Sequence, residues 1–185
     1  MRVIAGQYRG RTLHTVRDLS VRPATDRVKQ TLFDMLANRL QLEGADVLDL
    51  FAGSGALGIE AISRGAARAT FVEHQDDAVL FLEQNLRTLG CEGSGAIYEM
   101  DAMTFLRTHR ESYDLVFADP PYEFGQTQEI PPTVFDGGFV RPGGYLLIEH
   151  QQGLTFTDGD GYTAGPRKKF GRTVVTFFTR STHSA

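Results

Sequence analysis

Val47-Leu48-Asp49-Leu50-Phe51-Ala52-Gly53-Ser54-Gly55-Ala56-Leu57-Gly58 decides the fold of this 185-residue chain. An apolar run broken by one acid leads into glycines at 53, 55 and 58, and a helical pattern follows. A buried strand that turns through Gly-x-Gly-x-x-Gly into a helix opens a doubly wound α/β fold, whose ligand lies at the carboxyl ends of the strands. The same loop also serves as a plain turn, so its neighbours must decide what it holds.

Outward from this unit, apolar strands are expected at 45–50, 68–73, 95–100, 113–118 and 144–149. Helical patterns fall between them at about 56–64, 76–89, 101–109 and 129–136. Such alternation predicts a mostly parallel sheet covered on both faces. A further strand at 173–179, preceded by a Gly/Asp-rich turn at 158–161 and Tyr162-Thr163, predicts a C-terminal antiparallel hairpin and a seven-stranded sheet. Near the N-terminus, Val3-Ile4 and Leu13 to Val16 flank a Gly6–Gly10 turn as a small β-hairpin. Pro23 and Thr25-Asp26 then cap a helix bearing Val28, Leu32, Phe33, Leu36 and Leu40. One domain over 1–185 is expected, with a hairpin extension at 1–24 on a core at 25–185.

A hydrophobic content of 41% suits a single core. No apolar stretch reaches the roughly 20 residues of a membrane span, and no signal-peptide core follows Met1, so a cytoplasmic protein without membrane contact is expected. The single cysteine, Cys91, excludes an internal disulfide, and histidines 14, 74, 109, 150 and 183 lack ligand spacing, so no metal is expected. The net charge of −4 conceals segregation. Residues 1–30 carry seven basic groups against Asp18 and Asp26, and 167–185 carry five against none, leaving an acidic middle. Basic ends on an acidic body suggest a face for a polyanion.

Glu73 closes the second strand 20 residues after Gly53, where a ribose-binding acid belongs. A dinucleotide is therefore one reading of the loop. Asp49 opposes it, because a carboxylate beside the loop repels a pyrophosphate. Asp101, after the third strand, adds another acceptor. Acids at 49, 73 and 101 favour a cationic nucleoside, S-adenosylmethionine, whose sulfonium and ammonium they attract.

The strand at 113–118 ends in Asp119-Pro120-Pro121-Tyr122. Two prolines end sheet pairing and stiffen the corner, so a carboxylate and a ring are displayed together. The plain alternative is a turn with a packed Tyr. The functional one is a site for a flat amine, with the ring on its face and acceptors on its NH₂.

With these motifs the chain resembles class I S-adenosylmethionine-dependent methyltransferases, and more narrowly the RsmD family, which methylates an exocyclic guanine amine of small-subunit rRNA. The resemblance spans nearly the whole chain. It rests on Arg2-Val-Ile-Ala-Gly6 with Arg9-Gly-Arg11, Arg22-Pro-Ala-Thr-Asp-Arg-Val28, Leu48 to Ala61 with Arg64-Gly65, Phe71-Val-Glu73, Asp119 to Tyr122, and Lys169-Phe-Gly-Arg-Thr173. Ala24 departs from the threonine common there.

The resemblance implies a Rossmann-like class I methyltransferase fold. Asp49 and the Gly53-Ser54-Gly55 backbone would hold the methionine part, Glu73 the ribose and Asp101 with Ala102 the adenine, while Phe51 and His74 complete the pocket. Asp119 and the Pro120 carbonyl would accept from the guanine N2 amine, with Tyr122 stacked on a flipped base. Arg9, Arg11, Arg22, Arg27, Lys168 and Lys169 would contact 16S rRNA, within an assembled or assembling small subunit, and the enzyme would act as a monomer. The product of the cofactor would be S-adenosylhomocysteine. Two alternatives stay open: an adenine-N6 methyltransferase on DNA or RNA, and a non-catalytic RNA-binding assembly factor on the same fold.

Overall fold

The elements run α1 (Asp26–Ala37), β1 (Asp46–Asp49), α2 (Ala56–Ser63), β2 (Arg68–Glu73), α3 (Asp76–Leu89), β3 (Gly95–Glu99), α4 (Ala102–Thr108), β4 (Tyr113–Ala118), α5 (Ile130–Asp136), β5 (Val140–Gln151), β6 (Tyr162–Phe170) and β7 (Thr173–Arg180). They come from a computed structural model that describes residues 1–15 and 26–181. Val16, Arg22, Pro23, Thr25 and the hairpin boundary at 24 lie outside the described residues.

The strands form one sheet in the order β3-β2-β1-β4-β5-β7-β6. The first five pair in parallel, and β7 runs antiparallel between β5 and β6. Chain order reverses outward from β1, so the crevice of the fold opens between β1 and β4. Side chains alternate across each strand. Val47, Phe71, Leu115, Phe117, Leu147, Val175 and Phe177 therefore share one face, packed under α1, α2 and α3. Leu48, Val72, Val116, Leu146, Ile148 and Phe178 face the other way, under α4 and α5.

The strand–helix alternation is present as the sequence predicts, and two elements run longer. β5 begins at Val140, with a register shift opposite Tyr113 and Leu115. β6 extends nine residues through Gly165-Pro166, with a register shift between Ala164 and Arg167. Proline is tolerated there because β6 is an edge strand, where a missing donor leaves no partner orphaned. In α5, Pro131 and Pro132 occupy the first turn, whose N–H groups have no intrahelical acceptor.

The N-terminal hairpin is short, closed by an Arg2–Thr12 bridge and by Val3 N–H to the Arg11 carbonyl at 2.9 Å. It does not stand alone. Glu60, fully buried on α2, accepts from the Ile4 and Ala5 N–H groups at 2.8 and 3.0 Å, from Arg64 Nε at 2.7 Å, and pairs with Lys29 Nζ at 3.3 Å. Ser63 accepts from Tyr8 N–H and donates to the Ala5 carbonyl. Gly6 lies so close that a Cβ would overlap the Ser63 carbonyl, and its φ of +80° also favours glycine.

Candidate active site

The loop after β1 depends on its glycines for different reasons. Gly55 precedes α2 in the left-handed region, φ +83°, and a Cβ there would overlap Leu82 Cδ1. Gly58 has an ordinary φ, but a Cβ would run into the Phe71 ring, so it sets how closely α2 packs on β2. The Gly53 N–H donates to Glu73 Oε2 at 2.8 Å.

Glu73 also receives the N–H groups of His74 and Gln75 on Oε1, at 2.8 and 2.9 Å. One carboxylate thus joins the loop after β1 to the start of α3. Asp49, 1% exposed, takes the Gly58 N–H at 3.0 Å. Burial pushes its carboxyl up to about 7, opposed by the Gly58 N–H and reinforced by Glu73. Asp101 caps α4, taking the Thr104 N–H at 2.8 Å and its hydroxyl at 3.0 Å. It stays exposed and Ala102 is buried behind it. Phe51, half-buried, meets Phe124 edge-on at 5.1 Å, and His74 is exposed with Nδ1 3.4 Å from Glu73. An edge carrying Asp49, Glu73 and Asp101 can attract a cation and bind hydroxyls and an amino group. The same three carboxylates would repel a pyrophosphate.

On the other side of the crevice, Ala118 pairs with Ile148 in parallel register, so Asp119, just past the end of β4, and Glu149, within β5, stand at one level. Counting by twos from Phe117 and Leu147 puts both on the face that carries Asp49. Burial first, then Glu149 and Asp49, holds the Asp119 carboxyl well above the ordinary carboxylate range. Burial also raises Glu149, partly offset by a hydrogen bond from the Thr173 hydroxyl. The Tyr122 hydroxyl lies 2.8 Å from Thr173 Oγ1, yet the residue is 49% exposed, so its ring is tethered at the tip and open on its side.

Pro120, Tyr122, Phe124, Glu149 and Gln151 contribute to a cleft of about 300 Å³. His150 also lines it, 3% exposed, with its ring nitrogens 2.8 Å from the Gln151 carbonyl and from Thr176 Oγ1. Burial lowers its pKa, so it is a neutral packing residue.

The basic candidates divide. Arg9, Arg11, Arg27, Lys168 and Lys169 are exposed, although Arg11 also donates to the Thr88 carbonyl at 3.0 Å. Arg22 lies outside the described residues. Lys29, part of the N-terminal positive charge in the sequence, is completely buried with Glu60 and contributes nothing to the surface. Arg2 is likewise paired with Asp26 at 2.9 Å.

Three residues of this neighbourhood escape the motif reading. Glu149 repeats the signal of Asp49 and Asp119, an apolar strand ending in an acid, and could have been found by it. Thr173 stands at the end of the Lys169 to Thr173 stretch but receives no role from it, because only the β5–β7 register brings it to Glu149. Asn85 bonds both backbone groups of His14 and the Ser54 carbonyl, at 2.7 to 2.9 Å, linking the hairpin to the glycine loop.

The family model described as conserved hypothetical protein 95 matches residues 1–179. Ribosomal RNA small subunit methyltransferase D of Escherichia coli strain K12 is 39% identical over 151 residues, covering 82% of this chain and 75% of that protein. The protein of the same name from Haemophilus influenzae is 32% identical over 174 residues, covering 92% and 89%. Among solved structures, a hypothetical protein of Thermus thermophilus superposes with a TM-score of 0.84 at 29% identity, covering 98% of this chain and 99% of that one.

Proposed function

This chain belongs to the RsmD family, the conserved hypothetical protein 95 family, and we propose that it methylates the exocyclic N2 amine of a guanine in 16S rRNA. Its Rossmann-like methyltransferase fold supports the reaction class. The observation that carries the chemistry is Asp119, held on a rigid Pro-Pro corner on the sheet face of Asp49, with a tethered Tyr ring at its side.

S-adenosylmethionine, when bound, supplies an electrophilic methyl group. Asp49 and the Gly53-Ser54-Gly55 backbone hold its cationic amino-acid end, Glu73 the ribose, and Asp101 with Ala102 the adenine; Phe51 and His74 line the pocket. An aryl amine is a poor nucleophile because its lone pair is delocalised into the ring. Asp119 and the Pro120 carbonyl accept its two N–H bonds, draw them from the ring plane and localise the lone pair. Tyr122 fixes the plane of the base. Positioning of this kind supplies most of the acceleration in a transfer between two bound reactants. No described donor occupies the Asp119 carboxylate, so it is free to take the amine. Arg9, Arg11, Arg27, Lys168 and Lys169 hold rRNA phosphates, Arg22 belongs to the same set by its place in the sequence, and the substrate is the small subunit or its precursor.

Small subunits from a methylation-deficient strain, incubated with tritiated cofactor and mapped by nuclease digestion and mass spectrometry, test this reading. N2-methylguanine at a single position is expected; N6-methyladenine, or no incorporation, overturns it.

A further inference from the structure

Glu149 has no part in the chemistry above, yet it stands beside Asp119 at the same level of the sheet. It lines the open cleft with Pro120 and Tyr122, and also a small inner pocket with Phe117, Asp119 and Leu147, so it is common to the two. Its support is continuous with that of the ring: Thr173 donates to Glu149, and Thr173 Oγ1 is 2.8 Å from the Tyr122 hydroxyl. A base lying against Tyr122 with its amine at Asp119 therefore turns the adjoining atom of its edge toward Glu149.

Resting on the guanine-N2 reading, we propose that Glu149 accepts the N1–H of the target guanine and is the residue that selects guanine over other amine-bearing bases. Guanine presents N1–H and the N2 amine as adjacent donors, and two neighbouring acceptors, Asp119 and Glu149, match that pair. Adenine presents its amine beside the N1 lone pair, which faces a carboxylate only with repulsion. Two half-buried acids side by side become satisfied when the base brings donors to both.

The probe is 2-aminopurine, which keeps the N2 amine and the purine frame of guanine but lacks its 6-oxo group and has a lone pair at N1; the Glu149→Gln variant separates the N1 contact from the loss of the oxygen. Small subunits are reconstituted with guanosine or 2-aminopurine riboside at the mapped position. Wild-type enzyme is expected to prefer guanosine by about 100-fold or more in kcat/KM, because sites built for a donor reject the analogue that lacks it. In Glu149→Gln the amide can donate to the 2-aminopurine N1, so the preference falls to within about tenfold, chiefly by loss on guanosine. RNA affinity measured with S-adenosylhomocysteine, without turnover, follows the same order. Equal wild-type rates on both subunits overturn the role of Glu149 whatever the variant does, and so does an undiminished preference in Glu149→Gln. Wild-type methylation of adenine instead of guanine removes the underlying reading, a result distinct from either.

Discussion

The two halves of the crevice use the same residue type in opposite ways. On the β1–β2 side, Glu73 takes three backbone N–H groups and Asp49 takes one, so these carboxylates hold the loop they serve. On the β4–β5 side, no described residue donates to Asp119, and Glu149 is held by the Thr173 hydroxyl. The first half is assembled around its acids before any ligand arrives. The second is left short of donors, which suits a substrate whose recognised edge is made of them.

Breaking the second half should have the largest effect. Asp119→Ala is expected to cost at least about 10³-fold in kcat with cofactor affinity changed less than about threefold, the mark of a group used in the transition state. Calorimetry beside a tritium-methyl assay checks both numbers; full activity in the variant removes Asp119 from the chemistry. Breaking the first half should instead damage the scaffold. Glu73→Ala leaves three N–H groups without their acceptor and is expected to lower stability by about 3 kcal/mol, read as a lower Tm, with cofactor affinity falling alongside. A variant with unchanged Tm would show that the loop does not depend on this carboxylate.

Asp49 separates the two halves further, through pH. Its carboxyl rises from 3.8 to about 7 in the folded chain, so between those values the folded state binds more protons than the unfolded one. Stability therefore falls as pH rises through that window and levels off above it. Asp49→Asn should abolish this loss and raise the Tm of the cofactor-free protein at pH 8, while leaving it nearly unchanged at pH 4. A cationic ligand prefers the ionised acid, so cofactor affinity should increase by up to about tenfold per unit as pH approaches 7, then flatten. Titration calorimetry at pH 5.5, 7 and 8.5 decides it, and a flat profile would exclude Asp49 as the partner of the cation. The smallest effect lies outside the crevice. Arg9→Glu with Lys168→Glu should weaken RNA binding modestly and make its log–log salt dependence shallower by about one unit for each phosphate no longer neutralised; an unaltered slope would remove these side chains from the interface.

Much of the first half was legible in the sequence because it is local. Asp49, Gly53, Gly55 and Gly58 lie within one strand–turn–helix, and Glu73 follows at the fixed spacing of the next strand. Asp119 to Tyr122 could be read for the same reason. Thr173 could not, since its place beside Glu149 arises from β7 inserting between β5 and β6, a pairing without local signature. Counting charges also misled at Lys29. Its ion pair with Glu60 spans two elements, and a buried cation looks the same in a sequence as an exposed one.

The docking of the N-terminal hairpin has a consequence for synthesis. Its backbone bonds reach 55 and 56 residues ahead to Glu60 and 71 ahead to Asn85. This segment, translated before both of its docking elements, therefore has no place to settle until α2 and much of α3 have followed it. The proposed RNA-contacting arm is made before the helices that seat it, so a nascent chain cannot present it in its docked form before the cofactor half exists.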